Sequence, residues 1–134
     1  MKYLLDTNIC IYYMKGMYSL DKKFKSVKVE NCYISEITLA ELKFGVENSN
    51  NPEKNNLALL NFLSGLQILP IFEAIEFYAK EKARLKKIGR TVDDFDLLIG
   101  CTSVELNLIM VTNNEAHFNN IRNIRIENWV EQIV

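Results

Sequence analysis

Two short apolar runs, each cut off by polar side chains, constrain this chain most. Near the start Leu4-Leu5 ends in Asp6-Thr7-Asn8, and later Leu108-Ile109-Met110-Val111 ends in Thr112-Asn113-Asn114. Apolar runs this short, bounded by turn-forming residues, read as buried strands rather than as helices. Cys32-Tyr33-Ile34, Ile68 to Ile71 and Ile124-Arg125-Ile126 read as strands too, the last at a sheet edge. The segments between them carry helical periodicity. Asn8 is placed to cap a helix through Ile9, Ile11, Tyr12 and Tyr13, and Leu20, Phe24 and Val27 form one apolar stripe between Tyr18 and Val29.

Further helices follow the same logic. Ser35 is placed to cap a helix running through Glu47, and Pro52 suits the first position of one reaching Leu66. Glu73 to Ile88 reads as a long helix closed by Gly89, then come Asp96 to Asn107 and a short helix from Ala116 to Ile121. Trp129 to Val134 reads as a terminal turn packed on the core. Strands alternating with helices imply an α/β fold with a parallel sheet sandwiched between helical layers. At 134 residues, with no linker or repeat, the expectation is one domain spanning 1–134.

Composition removes several classes of function. No apolar run approaches the length of about 18 residues that a membrane-spanning helix needs. The amino terminus has an acid at position 6 and no cleavage pattern, so a cytoplasmic location is expected. The three cysteines, Cys10, Cys32 and Cys101, are widely spaced in apolar stretches and read as reduced, buried thiols. With one histidine in the chain, a zinc site built from nitrogen and sulfur is not expected. The net charge of −1 makes no global case for nucleic acid.

Three acids stand where acids are costly. Asp6 ends the first strand, where open α/β sheets place their chemistry, although a helix cap would also explain it. Glu41 shares a helical face with Ile37 and Phe44 and is crowded by Leu39, Ala40 and Leu42. A carboxylate there needs a cation, either an ion pair or a bound metal. Asp96 opens a helix with Ile99 and Gly100 on its face, Gly100 allowing close approach of another backbone and Phe95 packing into the core. Attraction to the helix dipole would serve Asp93 and Asp94 equally well. Thr112 and Asn114 reach the level of Asp6 at a neighbouring strand end, and His117 reads as a surface residue. Gathered together, Asp6, Glu41 and Asp96 would repel one another unless a hard divalent cation, Mg2+ or Mn2+, lay between them.

These residues carry a resemblance. Leu4-Leu5-Asp6-Thr7-Asn8, then Ile37-Thr38-Leu39-Ala40-Glu41-Leu42-Lys43-Phe44-Gly45, then Asp94-Phe95-Asp96-Leu97-Leu98-Ile99-Gly100, then Val111-Thr112-Asn113-Asn114 resemble the PIN domain, especially the VapC-type toxins of toxin–antitoxin pairs. The likeness runs through Ile126-Glu127-Asn128-Trp129. It implies a three-layer α/β/α fold with a central, mostly parallel sheet of four to five strands, and a Mg2+- or Mn2+-dependent endoribonuclease acting on single-stranded or loop RNA. By motif, Asp6, Glu41 and Asp96 would be the catalytic, metal-binding carboxylates, supported by Thr7 and Asn8, with Asn114 orienting water or metal. Many members carry an acid immediately before the phenylalanine of the last motif. His117 stands there in this chain, which puts a second metal in question and makes Asp94 the candidate substitute.

The likeness also implies a homodimer and a small antitoxin that blocks the acidic pocket. The run Lys80, Lys82, Arg84, Lys86, Lys87 and Arg90 is a candidate RNA path, with a plain solvated face as the alternative. Two further readings stay open on sequence alone: a PIN nuclease of RNA processing or DNA repair, and a catalytically inert PIN-like binding module.

Overall fold

The computed structural model describes residues 1–130, and of the expected terminal turn 131–134 lie outside them. Five strands form one sheet in the order β3-β2-β1-β4-β5: β1 Tyr3–Leu5, β2 Cys32–Ser35, β3 Gln67–Leu69, β4 Ile109–Val111 and β5 Ile126–Glu127. Every pairing is parallel. The first strand therefore lies at the centre, with Leu4 opposite Tyr33 on one side and Met110 on the other.

Side chains alternate across the strands as a period of two requires. Tyr3, Leu5, Cys32, Ile34, Ile109 and Val111 face one layer, whereas Leu4, Tyr33 and Met110 face the other. The first layer is covered by α1 (Thr7–Met14), α2 (Leu20–Val27), α3 (Glu36–Glu47) and α4 (Pro52–Leu63), with Trp129 edge-on to Tyr3 and Phe24. The second is covered by α5 (Ile75–Lys87), α6 (Asp94–Glu105) and α7 (Glu115–Phe118). This is the expected three-layer architecture.

Local signals account for most boundaries. Ser35 Oγ accepts from the Ile37 N–H, Asn51 caps α4 with Pro52 at its start, and Gly89 takes φ +74° just after α5. All three cysteines are buried free thiols. Burial pushes the Cys32 thiol up to about 11 and the Cys101 thiol to about 12, so neither is a nucleophile at neutral pH.

Several boundaries differ from the expectation. The cap of α1 is Asp6, and Asn8 lies inside the helix with an exposed side chain, because Asp6 alone separates the strand from the helix. The fourth helix stops at Leu63, where Ser64 Oγ turns back onto the Asn61 carbonyl. The long helix is preceded by a 3-10 turn over Phe72–Ala74. The sixth starts at Asp94, two residues before Asp96, since Asp93 is its cap.

Two aromatic residues expected to help form the interior do not. Phe95 is 49% exposed and Phe44 is 69% exposed, since the helix faces that meet the core are Leu97/Ile99/Cys101 and Thr38/Leu42. Gly100 does permit a close approach, but to side chains rather than backbone. A Cβ there would collide with Ile121 Cδ1 and sit 3.2 Å from Phe118 Cδ1. This contact seats the chain after α7 directly on α6.

Candidate active site

Asp6 ends β1 at the centre of the sheet, 6% exposed. Its own N–H continues the β1–β4 ladder, donating to the Val111 carbonyl at 2.9 Å. Its carboxylate is held at both oxygens. Oδ1 accepts from the Thr7 N–H at 2.8 Å, so Asp6 is indeed a cap, and Oδ2 accepts from Thr112 Oγ1 at 2.8 Å. Thr112 is fixed in turn, because its hydroxyl oxygen accepts the Asn114 N–H at 2.9 Å. A carboxylate has roughly four acceptor positions, so lone pairs remain after these bonds.

Thr7 links the first acid to the second. Its backbone N–H serves Asp6, and its hydroxyl donates to Glu41 Oε1 at 2.7 Å. Thr38 Oγ1 lies 3.2 Å from the same hydroxyl and is completely buried. Thr38 escaped the sequence reading, yet a signal was there, since it stands one helical turn before Glu41. Glu41 itself is half-buried at the rim of the layer.

Asp96 arrives from α6. Asp93 Oδ2 accepts the N–H groups of Phe95 and Asp96, which sets the first turn and turns the Asp96 side chain toward α7. There its Oδ2 lies 3.1 Å from His117 Nδ1. The histidine is exposed, as expected, but it is not idle.

The electrostatics show an unbalanced site. Burial pushes the Asp6 carboxyl above its ordinary value and the charge of Asp96 adds to this, while the bonds from Thr112 and Thr7 pull it back. Burial likewise raises Asp96, with the neighbouring Asp93 charge adding and His117 opposing. Among the described residues no lysine or arginine pairs with Asp6, Glu41 or Asp96. The ion-pair explanation of Glu41 therefore fails.

The donor set is oxygen-rich and carries uncompensated negative charge, which suits a hard divalent ion. As the side chains stand, no three acids, histidines or cysteines among the described residues are close enough to share one. An ion would thus be met by side-chain rotation rather than by a preformed cage.

Other candidates are placed elsewhere. Asp94 Oδ1 is held by Lys82 Nζ at 2.7 Å and Tyr78 OH at 2.8 Å, tying α6 to α5. Asn8 makes no hydrogen bond to Asp6. The basic run is partly consumed as well. Arg84 grips the buried Glu81 through Nε at 2.8 Å and a terminal nitrogen at 2.7 Å, and Lys80 lies 3.8 Å from Glu76. Lys86, Lys87 and Arg90 remain exposed.

A central parallel sheet with acids converging on the carboxyl end of its middle strand defines a class, and comparison with known proteins agrees. The chain belongs to the PIN domain family, matching it over residues 3–124. Within that family it lies among the VapC ribonucleases. It is 38% identical to "Ribonuclease VapC2" of Rickettsia felis over 132 residues, covering 96% of this chain and 98% of that protein. It is 35% identical to the "tRNA(fMet)-specific endonuclease VapC" of Shigella flexneri, again covering 96% and 98%. The fold superimposes on a chain of DNA-bound VapBC from Salmonella typhimurium with a TM-score of 0.90 at 34% identity, over 96% of this chain and 98% of that one. No helix among the described residues is long and apolar enough to cross a membrane.

Proposed function

We propose that this chain is a Mg2+- or Mn2+-dependent endoribonuclease that cuts single-stranded or loop RNA, acting as the toxin of a VapBC-type pair. One observation carries the reading. Asp6 is buried at the end of the central strand, fastened at both oxygens and joined through Thr7 to Glu41, and among the described residues no lysine or arginine pairs with it. Burying a carboxylate without a counter-charge costs several kcal/mol, of order 2–7 even for a neutral polar group, and a functional cation removes that conflict.

In this reading Asp6, Glu41 and Asp96 hold the ion. When bound, such an ion lowers the pKa of a coordinated water and neutralises charge building on the phosphate. The remaining work belongs to the chain. Thr112 and Thr7 each donate to one oxygen of the Asp6 carboxylate and leave it further acceptor positions. Thr7 also ties Glu41 to the Asp6 end of the site, and Asp93 fixes the turn that presents Asp96. Asn114, at the start of α7, is tied to the same strand end through its N–H on Thr112 Oγ1. Lys86, Lys87 and Arg90, at the end of α5 and just beyond it, offer charge for phosphate contacts. We further place the protein in the cytoplasm as one domain over 1–134, a homodimer held inactive by a small antitoxin. VapBC complexes of the same fold support the antitoxin, and curated ribonucleases that it resembles along nearly their full length support the activity.

The test is induced expression followed by sequencing of cellular RNA 5′ ends, with Asp6→Asn and Asp96→Asn as controls. New ends at discrete sites are expected with the wild-type chain and none with either variant. Unchanged ends with the wild type, or cleavage surviving in both variants, would overturn the proposal. It would also distinguish an inert binding module, which cuts nothing.

A further inference from the structure

His117 is the single histidine of the chain, and it stands against a site carboxylate. Its surroundings are built rather than loose. Phe118 is fully buried and Ile121 is 2% exposed, both seated on α6 around Gly100. Arg84 donates to the Asn120 carbonyl at 2.8 Å, and the buried Glu81 accepts the Arg122 N–H at 3.0 Å. The imidazole is thus carried by a clamped segment, not by a free loop.

We infer that His117 is a nitrogen ligand to the ion held by Asp6, Glu41 and Asp96, and that it shifts the site toward Mn2+ over Mg2+. The inference rests on the metal-dependent reading above. The spacing supports it. Two neighbouring ligand atoms around an octahedral ion with bonds of about 2.1–2.2 Å lie roughly 3.0–3.1 Å apart. His117 Nδ1 and Asp96 Oδ2 are 3.1 Å apart, a hydrogen-bond distance that also matches two adjacent ligand positions on one ion. A cleft of about 210 Å3 lined by Thr91, Asp93, Asp96, Ala116, His117 and Asn120 leaves the ring room to turn.

Ligand chemistry then sets the preference. Mg2+ favours all-oxygen octahedra, whereas imidazole suits transition ions, of which Mn2+ also accepts carboxylates. Replacing a fourth carboxylate by a neutral imidazole also lowers the negative charge that Mg2+ relies on.

The uniqueness of His117 makes the test direct. Full-length chain without a histidine tag is loaded with Mn2+ and examined by pulsed electron paramagnetic resonance. Modulation from an imidazole nitrogen is expected in the wild type and absent in His117→Gln. Competition of Mg2+ against bound Mn2+, followed by the free-Mn2+ signal, should show the preference for Mn2+ falling about tenfold in His117→Asp, a change of the size that altered metal-shell residues produce. Mn2+ that binds, and is lost in Asp6→Asn, but shows no imidazole modulation would overturn the role of His117 and leave the metal site standing. No Mn2+ binding at all would overturn both. The wild-type spectrum decides even if a variant fails to fold.

Discussion

Arg84→Met should destabilise the fold by about 3 kcal/mol. Glu81 is only 3% exposed, and its carboxylate accepts both nitrogens of the Arg84 fork and the Arg122 N–H. Removing one partner of a buried pair costs roughly 3–5 kcal/mol, because the other charge is stranded. The Arg84 side chain is 27% exposed, so water can partly replace it, and the Arg122 N–H remains, which favours the lower end of that range. At this chain length a loss of 3 kcal/mol corresponds to roughly 10 °C in melting temperature. Urea unfolding by circular dichroism in the presence of chelator measures it.

The pH dependence is part of the same prediction. The hydrogen bonds from Arg84 hold the Glu81 carboxyl below its ordinary value. A carboxyl lowered on folding contributes stability that is present above its unfolded value, near 4.5, and lost as the pH falls through the lowered folded value. In the variant, protonating the stranded Glu81 relieves the penalty, so the gap to wild type should close on acidification. A loss under about 1 kcal/mol at pH 7, or a gap unchanged at pH 4, would refute the assignment of the pair as the clamp of this layer.

Other outcomes follow from the same geometry. In chelator, Asp6→Asn should raise the melting temperature at neutral pH while abolishing cleavage. Burial raises the Asp6 carboxyl, so wild-type stability declines as the pH rises through the carboxylate range, and the variant, measured by melting across pH, should lack that decline. Gly100→Ala should cost about 1 kcal/mol net by denaturant titration: crowding against Ile121 and Phe118 costs about 1–3, and the better helix residue returns about 1. Mn2+ at a hundredfold excess over its dissociation constant should stabilise the wild type by about 2.7 kcal/mol, read as a melting shift that chelator reverses and Asp6→Asn abolishes. Asp94→Asn should leave cleavage nearly intact, because its partners are Lys82 and Tyr78 rather than the site acids.

The strand ends and caps were legible because their causes are local. Ser35 and Pro52 act within a few residues of themselves, and the polar stops after Leu5 and Val111 mark strand ends wherever they pack. Asp6 and Thr112, 106 positions apart, could be matched because parallel strands put their polar stops at one level. What could not be read were choices among equivalent neighbours. Asp93, Asp94 and Asp96 look alike in sequence, and only the arrival of α5 and α7 gives one to a cap, one to Lys82 and one to His117. Arg84 looked like a phosphate contact because its buried partner, Glu81, is itself a charged letter in a basic run. Phe44 and Phe95 misled for a simpler reason: hydrophobicity says that a side chain prefers cover, not that the fold supplies it.

The central position of β1 has a consequence for the order of events during synthesis. Tyr3 to Leu5 are made well before β4, yet one of their two edges stays open until β4 pairs with it, and Thr112 reaches Asp6 only then. A ribosome-bound chain short of that strand holds Asp6 and Glu41 but lacks both the Thr112 hydroxyl that bonds Asp6 and the α7 residue that faces Asp96. The site is thus assembled only when the later segment carrying β4 and α7 docks beside the earlier β1.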